Sequence, residues 1–180
     1  MIFLPSAVTL MNLGMGVVSL MLTFNHQLRW AAVFVLVAVI FDFMDGCLAR
    51  RLNASSDFGK ELDSLADMVS FGVAPVFLVI AVLRPFETPG TLSTLAIVAG
   101  ILYIFCGAYR LARFNVLNIS DYYVGVPITL AGGLIALLIL TVPTLTGWFY
   151  LVVLLLLSGL MVSRIAVPKT PWRDPRKITA

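Results

Sequence analysis

Six of the nine acidic residues fall in one short stretch: Asp42, Asp45, Asp57, Glu61, Asp63 and Asp67. Four of them repeat at helical spacing. Asp42 and Asp45 are three residues apart and Asp63 and Asp67 four apart, so each pair shares one face of a helix. Turned toward each other, the two faces make a cup of four carboxylates. In apolar surroundings such a cup needs compensation, because desolvation and mutual repulsion both penalise its charge. Hard divalent cations such as Mg²⁺ or Mn²⁺ supply it, since they take oxygen ligands and keep positions open for water or phosphate. Two ions among four aspartates would clamp a diphosphate and stabilise displacement at phosphorus. Asp57 and Glu61 read better as solvated or capping carboxylates at a helix start and are left out of the metal set.

The residues between the aspartates fit the same chemistry. Gly46 follows Asp45, where a missing side chain lets a diphosphate approach the backbone. Arg50 lies one turn further on and suits phosphate oxygens. Ser56 offers a hydroxyl in the loop, and Gly59 permits close approach or an unusual backbone angle where the loop enters the next helix. A second constellation is the run Tyr109-Arg110-Leu111-Ala112-Arg113-Phe114-Asn115. Arg110 and Arg113 share a face and suit a carboxylate or phosphate on an acceptor molecule, with Asn115 a candidate for its ammonium. The plainer alternative is a snorkelling pair that anchors the helix end.

The elements that must hold these groups are apolar helices. Hydrophobic residues make up 61% of the 180 and the mean hydropathy is +1.03, well above the usual 45–50% or so for a soluble domain. The pattern predicts one all-α membrane domain over residues 1–180, with six helices at roughly 7–24, 30–51, 60–83, 91–116, 125–142 and 148–167, each long enough to span about 30 Å of hydrocarbon. The turn chemistry of Asn25-His26, Asn53–Asp57, Pro85–Gly90, Asn118–Asp121 and Pro143–Gly147 separates them. The second and third helices, joined by a short loop, are expected to be antiparallel neighbours. Arg50, Arg51, Lys60, Arg110, Arg113, Arg164, Lys169, Arg173, Arg176 and Lys177 fall on one side, against Arg29 and Arg84 on the other. That bias predicts both termini, and the carboxylate cup, on the cytoplasmic side. No cleavable leader is expected, because Met1–Pro5 lacks a basic region. Cys47 and Cys106 lack metal-type spacing and read as buried small side chains. The single histidine, His26, lies in a loop on the opposite side, which excludes histidine-based catalysis.

The stretch Asp42-x-x-Asp45-Gly46-x-x-Ala49-Arg50, eight residues, then Gly59-x-x-x-Asp63-x-x-x-Asp67 resembles the full signature of the CDP-alcohol phosphatidyltransferases at every fixed position and gap. The resemblance implies six transmembrane helices, an interfacial active site open to the cytoplasm, and divalent metal. It further implies that Asp42 and Asp63 bridge two ions, that Asp45 binds one, and that Asp67 binds the other and is the general base. Gly46, Arg50 and Ser56 would contact the CDP-lipid, with Ala49 and Gly59 as the remaining signature positions of that site. Pro5, Thr9 and Asn12 are similar to the nucleotide-side start of the family's first helix, although Ser6 stands where an Asn is usual. Phe71-Gly72-Val73-Ala74-Pro75, Tyr109–Asn115 and Gly125-Val126-Pro127 resemble the members of the short bacterial and archaeal type that use serine. The substrates implied are CDP-diacylglycerol and L-serine, with inositol, glycerol phosphate or inositol phosphate as alternative acceptors. A homodimer in the bacterial cell membrane is also implied, Gly132 and Gly133 allowing close helix packing; no nucleic-acid partner is expected. A membrane metal-ion transporter would place acidic groups near the bilayer midplane with a path to the far side. A scaffold would have no use for the cup.

Overall fold

The computed structural model describes residues 3–52, 56–83, 91–117, 122–142, 146–163 and 166–168. Helices dominate: α1 Phe3–Phe24, α2 Leu28–Arg51, α3 Asp57–Asp67, a π-helical turn Met68–Val73, α4 Ala74–Leu83, α5 Thr91–Leu117, α6 Ile128–Thr141 and α7 Gly147–Val162. Between them runs a small antiparallel pairing that the sequence reading does not anticipate. Strand β1, Tyr122–Val124, pairs with β2, Ala166–Pro168. Arg84, Arg164, Lys169, Arg173, Arg176 and Lys177, used in the charge count, lie outside the described residues, as do most of the predicted turn segments.

Among the described residues, four stretches are long and apolar enough to cross a membrane: Pro5–Phe24, Leu28–Arg51, Asp57–Leu83 and Thr94–Val116. The last two helices are shorter than the sequence suggests, at 14 and 16 residues. Their lengths, about 21 and 24 Å at the α-helical rise, fall below a full hydrocarbon thickness. Helix α6 starts late because Gly125 takes a positive φ of 76° and Pro127 sits at the N-cap. Gly125 is required there: a Cβ would come within 3.2 Å of the Met161 carbonyl carbon, and the Val126 N–H donates to the Leu160 carbonyl at 3.2 Å. Helix α7 stops at Val162, and Ala166 and Val167, expected to be helical, belong to β2 instead.

The third span is the axis of the bundle. Over its most apolar 18 residues 56% are buried, where the matching stretch of each of the other three long spans has 28%, so it carries helices on several sides. Phe71, Ala74, Val76, Leu78 and Val79 from this span meet Ala31, Val35 and Ala38 of α2, Tyr103 of α5, Ile135 of α6 and Leu154 of α7 in one core. Small residues set the close approaches, as membrane helices require. A Cβ on Gly16 would lie 2.8 Å from the Ser70 Cα, and one on Gly132 would lie 2.7 Å from the Phe71 carbonyl oxygen. Gly132 and Gly133 therefore pack inside the chain, the latter against Val39. Hydroxyls tie the helices too: Ser19 donates to the Ala31 carbonyl at 2.8 Å and Ser70 to the Asn12 carbonyl at 3.0 Å.

The second and third predicted helices are neighbours over only part of their length. Helix α3 rests on α1, while α2 packs on α1, α6 and, further along the third span, α4. The second and third helices thus approach at one end and diverge toward the loop that joins them. The gap they leave is where the aspartates face one another.

Candidate active site and metal centre

Asp42 and Asp45 come from the last turns of α2, and Asp63 and Asp67 from α3. Ser56 starts α3 properly: it is the N-cap, its Oγ accepting the Gly59 N–H at 3.0 Å. Gly59 is an ordinary helical residue, so the unusual backbone angle is not needed. Its value is space, since a Cβ would lie 3.1 Å from the Ser56 Oγ. Asp57 occupies the first turn and pairs with Lys60 at 3.1 Å on the surface.

Carboxylate oxygens of Asp42, Asp63 and Asp67 lie within 4.8 Å of one another. Asp42 also faces the Thr129 hydroxyl of α6. Asp45 stands beside them, facing Thr9 and lining the same cavity as Asp63. Asp45 Oδ2 and Asp63 Oδ1 are buried and have no hydrogen-bond partner among the described residues. Buried carboxylate oxygens without donors are costly unless a cation meets them. An all-oxygen donor set that converges with unsatisfied lone pairs fits a hard divalent ion; the cluster could hold one.

Two cavities open on the cluster. The first, of about 140 Å³, is lined by Pro5, Ser6, Thr9, Asp45, Gly46, Ala49, Ser56, Gly59, Lys60 and Asp63. Six of the eight residues assigned to the CDP-lipid from sequence are thereby brought together. Arg50 is not part of that lining; its guanidinium lies 3.5 Å from where a Cβ on Gly46 would be and donates to the Cys47 sulfur. Asn12 does not line this cavity. It is fully buried and donates to Asp67 Oδ1 at 3.2 Å, orienting that carboxylate from α1.

The second cavity, of about 370 Å³, is lined by Lys60, Asp63, Ser64, Asp67, Arg110, Leu111, Phe114, Asn115, Pro127 and Thr129. The arginines separate here. Arg110 lines the cavity, feels the charge of Asp67, and has a buried Nε without a partner among the described residues. Arg113 is beside Arg110 but is not part of the lining. Asn115 bonds Ser64 at 3.0 Å and donates to Glu61 at 3.3 Å, which ties α5 to α3. Thr129, Ser64 and Lys60 are functional candidates that sequence reasoning missed. Thr129 had only its place two residues after Pro127 to recommend it. Lys60 and Asp63 line both cavities, so the cluster stands between them.

Residues 2–163 match the family profile of the CDP-alcohol phosphatidyltransferases. The chain is 38% identical over 165 residues to the CDP-diacylglycerol–serine O-phosphatidyltransferase of Methanocaldococcus jannaschii, covering 91% of this chain and 73% of that protein. It is 36% identical over 172 residues to the enzyme of the same name from Bacillus subtilis, covering 92% and 90%. It is 35% identical over 173 residues to the archaetidylserine synthase of Methanothermobacter thermautotrophicus, covering 93% and 70%. With four spacing-matched aspartates at the junction of two cavities and a profile match over nearly its whole length, the chain belongs to the CDP-alcohol phosphatidyltransferase family of membrane transferases.

Proposed function

We propose that the chain transfers the phosphatidyl group of CDP-diacylglycerol to the hydroxyl of L-serine, giving phosphatidylserine and CMP. The observation that carries this reading is the carboxylate cluster standing between two cavities, one lined by the signature residues and the other holding Arg110. Relatives named for serine transfer agree with it.

In this reading Gly46, Ala49, Ser56, Gly59 and Arg50 hold the nucleotide diphosphate in the first cavity, with Pro5 and Thr9 at its α1 wall. Asp42, Asp45, Asp63 and Asp67 hold two divalent ions, Mg²⁺ or Mn²⁺. When bound, these neutralise the diphosphate and make CMP a competent leaving group. Serine enters the second cavity, where Arg110 pairs with its carboxylate and Asn115, with Ser64, meets its ammonium. Asp67 faces that cavity and takes the proton of the serine hydroxyl as the oxygen attacks phosphorus. A carboxylate is a weak base for an alcohol, so the proton moves as the new bond forms rather than before it. The bond from phosphorus to the CMP oxygen breaks, and the product keeps its acyl chains in the bilayer.

The same reading has six helices embedded in the bacterial cell membrane, both termini in the cytoplasm, and two copies forming a homodimer. Arg50, Arg51, Lys60, Arg110 and Arg113 support that orientation, since all fall at the end of the bundle that carries the cluster. The test is an acceptor panel: purified protein, CDP-diacylglycerol and divalent metal with serine, inositol, glycerol phosphate or inositol phosphate in turn. Phosphatidylserine as the main product is expected. Transfer to a phosphorylated alcohol, with serine inert, would reassign Arg110 to phosphate and overturn the acceptor.

A further inference from the structure

The third span changes its winding immediately after Asp67. Over Met68–Val73 it is π-helical, and the Ala74 N–H reaches back to the Val69 carbonyl. Pro75 follows in the first turn of α4. A proline has no N–H, so the carbonyl four residues earlier, that of Phe71, loses its ordinary helical donor. Phe71 is fully buried, and a bare carbonyl there would be costly. The hydroxyl of Tyr103 on α5 donates to it at 3.1 Å. Tyr103 is itself completely buried, and Gly132 on α6 packs against the same carbonyl without a side chain. Seven residues beyond Tyr103, and so on the same face of α5, is Arg110. Thus one bond links the turn that follows Asp67 to the helix that carries Arg110.

We infer that Tyr103 is a positioning residue: its bond to the Phe71 carbonyl sets the separation of Asp67 from Arg110 and hence the geometry of the acceptor cavity. This rests on the reading of the second cavity as the acceptor's. The first cavity is built from α1, α2 and the start of α3 and does not depend on the bond. Loss of the bond should therefore act on one substrate and spare the other. The orphaned carbonyl and the lost tie can also be separated. Replacing Pro75 by Ala returns an N–H that can satisfy Phe71 within its own helix, but cannot reconnect α5.

Four proteins are compared in bilayers containing CDP-diacylglycerol: wild type, Tyr103→Phe, Pro75→Ala and the double variant. Steady-state kinetics and thermal unfolding are measured on each. Tyr103→Phe should lower the unfolding temperature and raise the KM for serine by roughly 3- to 10-fold, the worth of one neutral hydrogen bond, with the CDP-lipid KM unchanged. The double variant, set against Pro75→Ala, should regain the unfolding temperature but keep the raised serine KM. If Tyr103→Phe does not fold, the double variant still makes that comparison. A wild-type serine KM in the double variant, or both KM values rising together, would overturn the inference. Should the wild type prefer another acceptor, the same split is read with that acceptor, so failure of the serine assignment and failure of the tie remain distinct.

Discussion

Asp67 has neighbours from three other helices: Asn12 of α1 donates to its carboxylate, Asp42 of α2 lies within the same cluster, and Arg110 of α5 lines the same cavity. It is also the cluster member that lines the second cavity without lining the first. A metal ligand that also accepts the acceptor proton should show this in mutants. Asp67→Asn keeps the shape and most of the donor set but cannot take a proton. Turnover should fall by about 10²- to 10⁴-fold, the usual worth of a positioned base, while CDP-lipid binding, measured on the same preparation, persists. Near-normal turnover would remove Asp67 from the base role. The arginines make a second prediction at this scale. A charge-assisted bond is worth roughly 1.5–3 kcal/mol, or about 10- to 150-fold in affinity. Arg110→Gln should raise the serine KM by that order, and Arg113→Gln, outside the cavity lining, should leave it nearly unchanged. Equal effects of the two changes would point to a general field at the helix end. The aspartates were legible because their spacing is itself the chemistry. The choice between Arg110 and Arg113 was not, since residues three apart on one helix differ in facing only once the neighbouring helices are in place. Thr129 was hidden because a lone hydroxyl in an apolar helix usually bonds its own backbone, as Thr9, Thr23 and Ser158 do here.

Among the elements, the third span does most to shape the site. A π turn carries one residue more than the α-helix, and so rotates the residues before it by about 100° relative to those after it. With Ala74–Leu83 held in the core, that phase shift determines which way Asp63 and Asp67 face. Apolar periodicity could not reveal it, because Met68–Leu83 reads as one continuous buried run. Pro75 was the one local signal. The late start of α6 was more legible, in Gly125 and Pro127, than the sequence reading allowed; the three-residue strands carry too short a pattern to be seen. Close packing around the π turn predicts an asymmetry among glycines. Gly132→Ala forces a Cβ to within 2.8 Å of the Phe71 Cα and should destabilise by about 1–3 kcal/mol. Gly14→Ala meets nothing within 4 Å and should be neutral or slightly stabilising through helix propensity. Thermal unfolding in detergent ranks the two, and the reverse order would show that α6 does not lie flush against Phe71.

At the scale of the whole molecule, the divergence of α2 from α3 opens the bundle at one end, and both cavities meet the carboxylates there. A lipid donor can present its diphosphate at such an end while its chains remain among the helices, and a soluble acceptor can arrive from water. The short α6 and α7 make orientation the informative test. If both are embedded with the rest, a reporter fused after Ala180 and active only in the cytoplasm should be active, as should one fused before Met1; opposite signals would mean an odd number of crossings. The central claim is that the four-aspartate cluster, loaded with divalent metal, carries the transfer from CDP-diacylglycerol to serine. It is tested most directly by following CMP release from CDP-diacylglycerol, in the presence of serine, by protein stripped of metal. No release is predicted in excess chelator, with recovery on adding Mg²⁺ or Mn²⁺. Full turnover in chelator after stripping would contradict the account.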